Sequence, residues 1–129
     1  MRHSTGTPTA EEVVRFELSK EGPCMACVVR MAAGLLPQQL VVVGCDYNHC
    51  KSGNRRRGHL FGYALCVWHH RGHPMPRQTT SSTRERYGPS LMDGSALFHE
   101  TYGSDDELIA LQTEWIERQM TGVCREVEI

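Results

Sequence analysis

No stretch of the sequence approaches the roughly 18 apolar residues that a membrane-crossing helix needs. The opening MRHSTGTPTAEE also lacks the apolar run of a secretory signal. Together these absences predict a cytoplasmic protein. Internal repeats and low-complexity segments are missing too, which excludes a solenoid or a tether. Neither a long basic helix nor a regular finger spacing is present, which argues against a sequence-specific transcription factor. What remains is 129 residues, 40% hydrophobic and 22% charged, a balance too apolar for wholesale disorder and enough for one modest domain.

The net charge of −1 hides an uneven distribution. Residues 1–50 hold four Lys/Arg and five Asp/Glu. Residues 51–92 hold eight basic residues (Lys51, Arg55, Arg56, Arg57, Arg71, Arg77, Arg84, Arg86) against Glu85 alone, and residues 93–129 hold two against nine. The middle is net +7 and the end net −7. Five of the seven histidines (His49, His59, His69, His70, His73) fall in or beside the basic stretch. Imidazoles and positive charge in one segment suit a site that meets a phosphate backbone. The plainer alternative is a set of solvated loop charges facing the acidic end.

Along the chain, residues 1–12 are expected to be a flexible tail, with a single domain over 13–129. Val13–Leu18 reads as a short strand by alternation. The β-branched run Val41–Val43 reads as the first strand of a hairpin, with a basic loop and a return strand over Leu60–Val67. A helix starts after Cys66 and is soon interrupted by Gly72 and Pro74. Residues 72–90 read as a polar loop in which Ser81, Ser82, Thr83, Arg84 and Arg86 are available to phosphate. Ser104 with Glu107 forms a capping pair for a helix over about 105–119 that should stop before Gly122.

Six cysteines in a reducing compartment point to metal rather than disulfides. Cys24-x2-Cys27 paired with Cys66-x2-His69 supplies two soft donors from each of two knuckles, the pattern of a structural zinc. Cys45 or Cys50 stands as an alternative to His69, and Cys124 reads as a small buried hydrophobe. If zinc takes His69, the adjacent His70 points elsewhere and becomes a candidate ligand for a second, catalytic ion. His49 has a pKa range suited to taking a proton from water.

The arrangement Cys24-Met-Ala-Cys27, Cys45-Asp-Tyr-Asn-His49-Cys-Lys-Ser-Gly53, Gly58-His59 and Leu65-Cys66-Val-Trp-His69-His70-Arg-Gly72 resembles a zinc-stapled HNH, or His-Me finger, nuclease domain. More narrowly it is similar to the bacteriophage recombination-enhancement nucleases that act on DNA with the host RecA filament. Pro89-Ser-Leu91 and the stretch Leu97–Leu108 extend the likeness over roughly residues 22–116. The resemblance implies an α+β fold with a small ββα-metal core, a structural zinc and a C-terminal helix, working in the host bacterial cytoplasm. It further implies His49 as general base, Asn48 and His70 as ligands of a single Mg2+ or Mn2+, and His59 as a metal or phosphate contact. Asn48 departs from the histidine or aspartate common before the base, and Asp46 stands two residues away as a compensating ligand.

The chemistry expected is metal-dependent hydrolysis of DNA phosphodiesters, with single-stranded, duplex and displacement-loop DNA all open as substrates. Lys51, Arg55, Arg56, Arg57 and Arg71 would hold the backbone without reading sequence. Tyr47, Phe61, Tyr63 and Trp68 suit hairpin packing better than base stacking. Two other classes stand beside the enzyme. One is a non-catalytic zinc-stabilised module that binds DNA or the filament; the other is an adaptor using Leu108, Leu111 and Trp115 on the acidic helix.

Overall fold

Thr9 opens the first helix, α1 (Ala10–Glu21), through a reciprocal capping box. Glu12 N donates to Thr9 Oγ1 at 3.2 Å and Thr9 N donates to Glu12 Oε1 at 2.7 Å. The expected strand at Val13–Leu18 is therefore helical, and Ala10–Glu12, read as tail, belong to it. Its inner face is polar, with Arg15 and Ser19 buried one turn apart while Val13 and Val14 are exposed, so apolar alternation misled. The computed structural model describes residues 9–52, 55–56 and 62–128, with the backbone alone for 51, 52, 55, 56 and 122–128.

After Gly22 comes α2 (Met25–Ala32), which begins immediately after Cys24. Gly22 has no room for a side chain, since a Cβ there would lie 2.4 Å from the Trp115 ring. The Val41–Val43 segment is not a strand. It follows a 3-10 turn over Gln38–Leu40, makes one bridge from Val43 to Pro23, and leaves Val43 65% exposed. The hairpin starts later, with β1 (Asp46–His49) and β2 (Lys51–Ser52), and returns through β3 (Arg55–Arg56) and β4 (Gly62–Leu65). β4 is shorter than the expected Leu60–Val67; Leu60 and Phe61 lie outside the described residues, and Val67 is already helical.

β1 pairs antiparallel with β4, Asp46 opposite Leu65 and His49 opposite Gly62, while Lys51 pairs with Arg56 and Ser52 with Arg55. Strand alternation puts Asp46, Asn48, Tyr63 and Leu65 on one face and Tyr47, His49 and Ala64 on the other. At Gly62 the second face is closed: a Cβ would stand 2.5 Å from the Tyr47 ring and 2.7 Å from the Asn48 carbonyl oxygen. Gly62→Ala is expected to destabilise the domain by about 1–3 kcal/mol, read as a lower urea midpoint, because the backbone oxygen cannot yield.

α3 (Val67–Arg71) follows β4 directly and ends at Gly72 in the left-handed region, φ 72°. The expected 72–90 loop contains a helix, α4 (Thr80–Tyr87), capped by Thr79 and Ser82. It buries Thr83 and Tyr87, and Arg84 makes a two-pronged ion pair with Asp93, at 2.9 and 3.1 Å. α5 (Ser95–Tyr102) and α6 (Asp105–Glu128) complete the chain. α6 starts where Ser104 and Glu107 cap it, at 3.1 and 2.8 Å, and runs through Gly122 instead of stopping before it. The core gathers Met25, Tyr63, Leu65, Trp68, Phe98 and Leu108, with Leu111 and Trp115 packed against it. The helical stripe offered for an adaptor is thus core packing, as are Tyr47, Tyr63 and Trp68. The result is α+β, a small hairpin enclosed by helices, consistent with a ββα-metal core. No described helix is long and apolar enough to cross a membrane.

Candidate metal centre and hairpin face

Each knuckle is built by a helix start. Cys24 caps α2 by accepting from Cys27 N at 3.4 Å, and Cys66 caps α3 by accepting from His69 N at 3.5 Å. The capping residue and the residue three positions on point the same way, so each turn delivers two donors. The pairs converge: Cys24, Cys27, Cys66 and His69 place their donor atoms within 4.8 Å of one another, all buried. His69 Nδ1 lies 3.4, 3.8 and 3.3 Å from the sulfurs of Cys24, Cys27 and Cys66. A tetrahedral zinc separates sulfur from nitrogen by about 3.6 Å, so the four donors fit the ion.

The imidazole is set for that role by what surrounds its other nitrogen. His69 Nε2 lies 2.8 Å from the Tyr87 carbonyl, which only accepts, so the ring proton sits on Nε2 and Nδ1 turns its lone pair to the sulfurs. Tyr102 Oη, 3.1 Å from the same nitrogen, donates to Pro89 O at 2.8 Å. Hydrogen bonds from Cys24 and Cys27 hold the Cys66 thiol well below its ordinary range, against burial. Burial, then hydrogen bonds with its two neighbours, pushes Cys24 up. Cys27 is pushed up to about 12, the lowering effect of Cys24 being outweighed by Cys66 and burial. A divalent cation would hold all three sulfurs as thiolates. Cys45 is outside this set, its sulfur facing Gly22 O and Val42 O at 3.6 and 3.9 Å, and Cys50 is likewise outside it. Cys124 lies outside the described side chains.

His70, next along α3, leaves the metal cluster and meets the hairpin. Its Nδ1 is 3.0 Å from Asp46 Oδ2, which also receives Arg71 Nε at 2.8 Å. Both side chains of the His70–Asp46 pair are about a quarter exposed, so the contact is reachable from solvent. Asn48 shares the Asp46 face of the strand, whereas His49 lies on the other face. There the Tyr47 ring meets the His49 ring edge-on at 5.0 Å, and Phe16 of α1 lies 6.3 Å away. The structure therefore joins Asp46, His70 and Arg71, and sets His49 at the strand's end on the opposite side. His59 and Arg57 lie outside the described residues, as do the side chains of Lys51, Arg55 and Arg56. Of the polar residues in the 72–90 segment, Thr83 and Arg84 are engaged within the protein: Thr83 Oγ1 accepts from Met75 N at 3.1 Å, and Arg84 pairs with Asp93.

Sequence reasoning missed Arg15. Its buried guanidinium donates to Tyr47 Oη (3.1 Å), Thr113 Oγ1 (2.7 Å), Gly62 O (2.9 Å) and Ile109 O (3.4 Å), tying α1, both strands of the hairpin and α6 together. The available signal was its placement on the same helical face as Ser19, four residues on, inside a capped helix.

A family model described as recombination enhancement, RecA-dependent nuclease matches residues 8–117. No curated protein matches the chain significantly.

Proposed function

The chain belongs to the recombination-enhancement, RecA-dependent nuclease family, and on that footing we propose that it is a metal-dependent DNA endonuclease acting in phage or prophage recombination with RecA. The observation that carries the reading is the His70–Asp46 contact beside the Cys3His cluster. With its Nδ1 proton donated to Asp46, His70 keeps its Nε2 lone pair for a ligand, the arrangement of a metal-binding imidazole held by a carboxylate. Asn48, on the same strand face, and the Oδ1 atom of Asp46 complete the candidate donors for a single Mg2+ or Mn2+. When bound, such an ion polarises a phosphoryl oxygen and stabilises the leaving oxygen.

The other steps fall to side chains of the chain itself. His49, the last residue of β1 and across the strand from Asp46 and Asn48, is assigned the proton of the attacking water on the family resemblance alone. Lys51, Arg55, Arg56, Arg57 and Arg71 hold the phosphate backbone, and His59 orients the scissile group. His49→Ala is expected to lower cleavage of single-stranded or supercoiled DNA by about 10²–10⁴-fold, with fold and zinc content retained. His70→Ala is expected to raise the Mg2+ or Mn2+ concentration needed for half-maximal cutting. Undiminished cutting by His49→Ala removes that residue from the mechanism.

The same hydrogen bond favours a second assignment, in which Asp46 polarises His70 and its Nε2 is the base. In that case His70→Ala lowers the turnover rate while leaving the metal requirement unchanged. Running each reaction with and without a RecA filament tests the partner. Sound DNA binding with no cleavage under any condition, at one zinc per chain, supports the alternative of a zinc-stabilised binding module.

A further inference from the structure

His49 is the last residue of β1, and the residue opposite it across the hairpin is Gly62. In a paired strand a side chain is steadied by the one that faces it. Glycine offers none. Tyr47, two residues back on the same face, takes that place. Its ring lies across Gly62, where a Cβ would stand 2.5 Å from Cε2 and 2.7 Å from Cζ, and it meets the His49 ring edge-on at 5.0 Å and 81°.

The tyrosine is itself held from α1. Arg15 Nε donates to Tyr47 Oη at 3.1 Å, and Nη2 of the same guanidinium donates to Gly62 O at 2.9 Å. One planar fork therefore ties the hydroxyl to the strand that the ring crosses. Burial pushes the Tyr47 phenol up, so the fork meets a neutral hydroxyl and not a phenolate. Phe16, the neighbour of Arg15 in α1, adds an aromatic contact to both rings, 5.2 Å from Tyr47 at 68° and 6.3 Å from His49. The guanidinium reaches α6 as well, donating to Thr113 Oγ1 at 2.7 Å.

We infer that Tyr47, oriented by Arg15, is the positioning residue of His49, fixing the imidazole at the end of β1 where no cross-strand side chain can. The inference rests on the reading of His49 as the base of a nuclease. A base works only within hydrogen-bond reach of the proton it removes, and a misplacement of about 1 Å costs up to about 10²-fold in rate. Arg15, Phe16 and Tyr47 thus give α1 a part in the reaction without contact with DNA.

Cleavage kinetics on supercoiled DNA and NMR of the histidine rings test the assignment together. Tyr47→Phe keeps the ring but releases it from Arg15, and is expected to lower kcat by about 3–30-fold with KM unchanged. Thr113→Val is the control: it takes an acceptor from the same guanidinium on the α6 side, and should leave kcat within about twofold of wild type. Nuclear Overhauser contacts between the rings of residues 47 and 49, recorded on zinc-loaded protein without DNA or a second ion, should weaken in Tyr47→Phe and persist in Thr113→Val. Full cleavage by Tyr47→Phe, unaltered ring contacts in that variant, or an equal loss of kcat in Thr113→Val overturns the positioning role. Undiminished cutting by His49→Ala overturns the choice of base instead, and the ring contacts then still decide whether Tyr47 holds His49.

Discussion

Chelating the zinc is expected to unfold the domain. Structural zinc contributes about 10–16 kcal/mol in small zinc-bound folds, against a net stability of about 5–15 kcal/mol for a typical domain. Here its four donors join α2 to α3 and lie against Tyr87 and Tyr102. A strong chelator should abolish the cooperative thermal transition and the near-ultraviolet signal of buried Trp68. Cys66→Ser separates capping from ligation, since the hydroxyl still accepts from His69 N but binds zinc poorly. Its instability should match that of the chelated wild type, and a Cys66→Ser protein that melts like wild type would show the cluster to be dispensable.

Proton accounting makes the same result quantitative. Because the chelated chain is unfolded, its Cys24, Cys27 and Cys66 are there ordinary thiols of pKa about 8.5 and carry protons near neutral pH. Zinc binding must displace those protons, about three per ion near neutral pH. Affinity should therefore fall by about 1,000-fold for each unit the pH is lowered through the neutral range, and rise as it is raised. Calorimetry in buffers of different ionisation enthalpy measures the protons released directly.

The second large effect concerns Arg15. Arg15→Met is expected to cost about 2–4 kcal/mol, measured by urea unfolding. Two contributions oppose each other. The substitution removes a buried cation that has no carboxylate partner among the described residues, which is favourable, but strips donors from Gly62 O, Thr113 and Tyr47 at once. The stripped acceptors belong to three different elements, so no single shift of the chain re-satisfies them. Arg15→Lys should rescue little, because an ammonium cannot reproduce the planar fork that reaches all of them. A full rescue by lysine would show that charge alone matters at this position.

The metal cluster was legible in the sequence because ligand spacing is local: each knuckle is a single helical turn, and a turn needs only four consecutive residues to be recognised. The start of α6 was legible for the same reason, through Ser104 and Glu107. What escaped was set by distant partners. α1 hides behind Val14, Phe16 and Leu18, which alternate like a strand, while its buried positions are Arg15 and Ser19. Its own local signal, Thr9 with Glu12, is the capping pair that apolar alternation overrode. α4 is polar along its length and is held by Arg84 on Asp93 and by Trp68 Nε1 donating to Gly88 O at 2.9 Å beyond its end. The His70–Asp46 pair follows from strand register, which no pattern in either segment specifies.

α3 spans five residues, and His69 and His70 occupy adjacent places in it. The metal cluster and the Asp46-bound imidazole thus share one short turn with no joint between them. Under the nuclease reading, a chain deprived of zinc cannot keep a misaligned cutting edge; it has none. Scarcity of the metal yields silence instead of stray breaks in DNA, and the structural ion doubles as a safety catch.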